Sequence, residues 1–141
     1  MNCIFCKIGE KSIPSHIVYE DKNLIAFLDL SPIRPGHTQI IPKEHHDYFD
    51  HLPAHIAAEI MNLGQKLATK MKQTFKVERV AFAFTGGDVQ HAHAHIIPLH
   101  EKDDLTSRRY ITNSNIEYST DHLRVTPAEL QKIQKQLVME P

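Results

Sequence analysis

The sequence predicts an α+β fold, a mainly antiparallel five-stranded sheet with one long helix and a C-terminal helix. Three observations predict it. Five short runs rich in β-branched and aromatic residues are bounded by turn-forming residues. Between the third and fourth runs, apolar residues recur in gaps of three and four, at Ile56, Ile60, Leu63, Leu67, Met71 and Phe75. The resulting order, β-β-β-α-β-β-α, suits strands and a long helix packed in layers.

Each element has its own signal. "CIFCKIG" (3–9) reads as a short helix or turn. "HIVYE" (16–20) and "LIAFLDL" (24–30) flank a polar "DKN" turn, as a hairpin does. "SPIRPG" (31–36) is a loop, and "HTQIIP" (37–42) alternates polar with apolar until Pro42 stops it. The long helix covers 52–75, with Pro53 near its start. "VERVAFAFT" (77–85) is the fourth strand. The fifth is 91–97 in "HAHAHIIP", with Gly86 and Gly87 before it and Pro98 after it. "HEKDDLTSRRY" is a charged loop. "TPAELQKIQKQL" (126–137) is a helix, opened by a Thr126–Glu129 capping box with Pro127 in the first turn.

A length of 141 residues with 41% apolar content fits one domain with a real core. The sequence divides into a domain over 1–105 and a C-terminal extension with a helix over 106–141, expected to pack on the same domain. Sixteen basic against 17 acidic residues give a net charge of −1, which offers no broad basic surface to a nucleic acid. No apolar stretch suits a signal peptide or a membrane span, so no membrane partner and a cytoplasmic location are expected. Two cysteines do not make a disulfide scaffold.

The 11 histidines are the unusual feature. On a strand, alternate side chains share a face, so His91, His93 and His95 would stand in a row opposite Ala92, Ala94 and Ile96. Imidazole has the side-chain pKa nearest neutrality. The row can be a set of satisfied polar groups, a metal site, or a nucleophile supported by its neighbours. Chelation of one zinc by all three is demanding, because alternate strand positions lie roughly 7 Å apart. In covalent catalysis, a neutral middle imidazole attacks an electrophile while a neighbour fixes its tautomer.

"HAHAHIIP" fits H-φ-H-φ-H-φ-φ, where φ is apolar, and so resembles the histidine triad (HIT) family. "CIFCKI…IPSHIVYEDKNLIAFLDLSPIRPGHTQIIPKEH" (3–45) is similar to the amino-terminal half of that family, and the resemblance spans roughly residues 3–100. It implies a HIT-like fold and a nucleotide hydrolase or transferase. Such a protein attacks the α-phosphorus of nucleoside phosphoramidates, adenylates or dinucleoside polyphosphates and releases the monophosphate. By the same resemblance His93 forms the nucleotidyl-imidazole, His95 bonds near the phosphate oxygens, and His91 supports the row. Asp29 matches the acid that holds the ribose hydroxyls. Ile4, Phe5, Ile8, Ile13, Phe27, Leu28 and Leu30 match the apolar base pocket, and His37 matches a histidine near the phosphate. The implied ligand is an AMP-like purine nucleotide. The implied assembly is a homodimer with the long helix at its interface.

Two departures matter. Where the family often carries a Gln followed by a hydroxyl residue, this chain has Gly87 and Asp88, and Thr85 is the nearest polar substitute. A carboxylate accepts and does not donate hydrogen bonds unless protonated, and it repels an incoming phosphate. Asp88 can instead orient a triad histidine or simply make a turn. A second function follows: a nucleotide-binding or protein-interaction member with weak or no catalysis. The other departure is Cys3-x-x-Cys6. In some relatives such a pair binds zinc with a downstream histidine and the first triad histidine, which here gives Cys3, Cys6, His45 and His91, with His46 as the fallback ligand. A redox pair or two ordinary thiols are the other readings. His51, His55, His100 and His122 read as surface residues. Arg108 and Arg109 read as solvated loop, or as reaching a phosphate or a partner chain.

Overall fold

The structure, a computed structural model, describes residues 2–106 and 125–141. Its elements are α1 (Ile4–Gly9), β1 (Ile17–Glu20), β2 (Leu24–Leu28), β3 (Thr38–Pro42), α2 (Ala54–Phe75), β4 (Arg79–Phe84), β5 (Ala94–Leu99) and α3 (Pro127–Leu137). A 3-10 turn, Phe49–His51, precedes α2. The strands form one antiparallel sheet in the order β1-β2-β3-β5-β4.

Alternation divides this sheet into two faces. Leu24, Ala26, Leu28, Ile40, Ala94 and Ile96 pack with Ile60, Leu67 and Met71 of α2 in the main core. Ile25, Phe27 and Ile41 face the other way, into a smaller cluster with Phe5 and Ile8 of α1. Helix α2 crosses close over β4: a Cβ on Gly64 would come within 2.8 Å of the Phe82 ring. Gly36 has φ +98°, and a Cβ there would meet the Phe75 ring at 2.5 Å, so the end of α2 presses directly on the loop before β3. Helix α3 has the expected Thr126–Glu129 capping box and buries Leu130, Ile133 and Leu137 in the main core. Among the described residues, no helix is long and apolar enough to cross a membrane.

The expected strand at 91–97 needs correction. β5 starts at Ala94, so His91 and His93 precede it and only His95 projects from it. β3 pairs Ile40 with Ala94, and the next pairing step would set Ala92 opposite Pro42, which has no N–H to offer. The Ala92 N–H instead donates to the His46 carbonyl at 2.6 Å. β5 also continues through Pro98 instead of ending before it. β3 begins at Thr38, opposite Ile96, so beyond that point β5 needs only its ladder with β4.

Candidate functional site

The segment entering β5 places its histidines in three environments. His91 is fully buried. Its Nε2–H donates to the Pro42 carbonyl at 2.8 Å, because a carbonyl can only accept. Nδ1 is thereby left with a lone pair, aimed at Cys3 Sγ (3.5 Å) and Cys6 Sγ (3.6 Å). His45 repeats the pattern. Its Nε2–H donates to Asp47 at 2.9 Å, and Nδ1 lies 3.3 Å from Cys6 Sγ. The four ligand atoms of Cys3, Cys6, His45 and His91 lie within 4.8 Å of one another. A tetrahedral zinc site has S···N edges of about 3.6 Å, given its usual bond lengths, so this donor set fits that ion. The outward hydrogen bonds to Pro42 and Asp47 are of the kind that orients metal-bound imidazoles. Burial lowers the His91 pKa despite the bond to Pro42, which keeps the ring in its neutral, ligating form. Burial, with Cys3 beside it, raises the Cys6 thiol. His46, the fallback ligand, stays outside the cluster, and its buried Nε2 has no partner.

His93 is 5% exposed. Its Nδ1–H donates to the His91 carbonyl at 2.7 Å, so Nε2 holds the free lone pair. The ring also lies edge-on to Phe5, with centroids 5.0 Å apart, and 4.9 Å from the His95 ring. The protonation of His95 is set from behind. The Ile33 N–H donates to His37 Nδ1 at 3.1 Å, so that nitrogen is unprotonated and His37 carries its proton on Nε2. His37 Nε2–H then donates to His95 Nδ1 at 2.8 Å, which leaves the His95 proton on Nε2. Burial drives this arrangement. It lowers His37 to about 4 against the pull of Asp29, and it lowers His95, with His93 adding to the effect. One ring thus offers a lone pair, and its neighbour offers an N–H.

Both rings line a cavity of about 640 Å³. Ile4, Phe5, Ile8, Ile13, Phe27, Leu28 and Leu30 line it too, together with Asp29, Thr85 and Asp88. His37 does not line it and acts through His95. Asp29 sits just past β2. It accepts from the Ser31 N–H at 2.8 Å and from Gln39 Nε2 at 2.7 Å. Asp88 is exposed with φ 62°, and its charge, like that of Asp29, only partly opposes the lowering of His95. A second cavity of about 170 Å³ adjoins at Thr85 and His93 and contains Tyr48, Phe49 and Phe84.

Sequence reasoning missed Gln39, Val89 and Asp47, the carboxylate that orients His45. A polar residue inside the β3 run "TQIIP" was the one available signal for Gln39. His51 and His55 are exposed as expected, whereas His100 is half-buried. His122, Arg108 and Arg109 lie outside the described residues.

The HIT domain profile matches residues 10–102. A relative from Bacillus subtilis, "Protein hit", is 32% identical over 136 residues, 93% of each chain. The adenosine 5'-monophosphoramidase of Saccharomyces cerevisiae is 38% identical over 97 residues, 68% of this chain and 61% of that one. A Zn-bound histidine triad family protein from Mycobacterium smegmatis superposes with a TM-score of 0.76 at 26% identity, covering 97% of this chain and 91% of that one.

Proposed function

This chain belongs to the histidine triad family, and from that membership we propose that it is a nucleotide hydrolase or transferase acting on the α-phosphorus of an AMP-like purine nucleotide. Its substrates are nucleoside phosphoramidates, adenylates or dinucleoside polyphosphates. The base enters the apolar cavity between α1 and β2, and Asp29 accepts hydrogen bonds from the ribose hydroxyls. His93 Nε2 forms a bond to phosphorus as the bond to the leaving nitrogen or oxygen breaks. The His95 Nε2–H bonds a phosphate oxygen and stabilises the charge gathering there. Water then forms a P–O bond as the P–Nε2 bond breaks, and the monophosphate departs. The observation that carries this reading is the 2.7 Å bond from His93 Nδ1 to the His91 carbonyl, which leaves Nε2 nucleophilic.

Cys3, Cys6, His45 and His91 would hold zinc, which in a closed Cys₂His₂ set supplies a structural cross-link. Residues 1–105 form the catalytic domain, 106–141 extend it, and the protein works as a homodimer with α2 at the interface.

Asp88 favours a second reading, a nucleotide-binding or protein-interaction protein with little turnover, because it brings negative charge to the cavity rim where the family resemblance implies a hydroxyl. One assay separates the two: release of AMP from adenosine 5'-phosphoramidate. The wild type turns over and forms a nucleotidyl adduct visible by mass spectrometry. His93→Ala loses the adduct and at least about 10³-fold in rate. AMP binding without turnover by the wild type would favour the binding protein.

A further inference from the structure

Gln39 occupies the middle of the sheet. It pairs with Phe27 on β2 and with His95 on β5, so the three side chains share the face beneath the cavity. It is 8% exposed. An aliphatic side chain of similar length would pack there without a polar group to satisfy. The amide orientation is forced: Asp29 Oδ2, 2.7 Å away, can only accept, so the facing atom is Nε2. Oε1 is then buried with no partner. A buried acceptor left unpaired destabilises a fold, so the benefit of this residue lies in its other end. There, Gln39 Nε2 and the Ser31 N–H grip the two Asp29 oxygens, one each. Together they fix the carboxylate plane where it meets the cavity.

We propose that Gln39 is the positioning residue for sugar recognition, holding Asp29 so that the carboxylate distinguishes a ribonucleotide from its 2'-deoxy counterpart. The inference rests on the reading of Asp29 as the ribose-binding acid. Gln39 does not touch the reacting phosphorus, so its role shows in binding and KM, with kcat left nearly as it is.

The test compares AMP with 2'-deoxy-AMP by calorimetry, and the two corresponding phosphoramidates by kinetics, for wild type, Gln39→Leu, Gln39→Met and Asp29→Asn. In both Gln39 variants the preference for ribose should shrink by about ten-fold, mostly through weaker ribonucleotide binding. Their thermal midpoints should stay close to that of the wild type, since removal of the unpaired Oε1 offsets the lost bond to Asp29. If Asp29→Asn loses the preference while both Gln39 variants keep it, the inference fails and the reading of Asp29 stands. If Asp29→Asn also keeps it, that reading fails, and the inference with it. Equal weakening of both ligands together with a lower midpoint would mark Gln39 as merely structural and would also overturn the proposal.

Discussion

A proton on Nδ1 decides what the His93 ring can do. Held by the His91 carbonyl, it leaves Nε2 as a base and nucleophile. The partner ring, His95, is set in the opposite sense by His37, whose own state depends on pH. Burial lowers His37 to about 4, against an unfolded value near 6.5. Between those values the unfolded chain binds more protons, so this contribution to stability is complete above about pH 6.5. It is lost as pH falls through about 4. Asp29 and His95 are the titratable groups that act on this ring. Urea midpoints at pH 7 and pH 4.5 should therefore reveal an acid-side loss on the order of 2 kcal/mol, flattened in His37→Gln. The row of histidines was legible in the sequence from its alternate spacing, and Asp29 from the family resemblance. The His37–His95 and Asp29–Gln39 bonds were not, since they join separate elements and depend on side-chain direction.

At the scale of elements, α1 has two tasks. Its six residues include Cys6 and follow Cys3, and they also supply Ile4, Phe5 and Ile8 to the cavity wall. Isolated helices shorter than about 12 residues are marginal in water, so α1 owes its position to what holds it. Phe5 lies against Phe27 and His93, and the thiols lie against His45 and His91. Stripping zinc from a metal-loaded protein should therefore lower the thermal midpoint and weaken AMP binding by about ten-fold. Cys6→Ala should reproduce both effects, and calorimetry with and without chelator reads them. A second element-scale expectation concerns the α2–β4 crossing. Gly64→Ala forces Phe82 or the helix to move and should destabilise by about 1–3 kcal/mol, measured by chemical denaturation. Strand and helix periods made these elements readable. The start of β5 was misread because "HAHAHI" (91–96) alternates, while the residue that stops the ladder from extending, Pro42, belongs to a different strand.

For the whole molecule, the C-terminal helix is part of the main core. Leu130, Ile133 and Leu137 join it, and Lys70 Nζ donates to the Val138 carbonyl at 2.9 Å. Leu137 is fully buried, so Leu137→Ala should cost about 2–5 kcal/mol in a denaturation experiment. Removal of 126–141 should expose the same apolar surface and promote aggregation, visible by light scattering. The capping box revealed this helix in the sequence, but its seat against α2 and β1 depends on contacts across the chain that no local pattern encodes.

That seat has a consequence at the margins of the sheet. At β1, the Met139 N–H donates to the Val18 carbonyl, and Gln134 of α3 donates through Nε2 to the Ile17 carbonyl. At the opposite margin, β4 pairs only with β5 among the described residues. A ribbon closed on one flank can join a copy of itself only through the other. Any strand-to-strand association is therefore channelled to β4, the one edge each chain leaves open among the described residues.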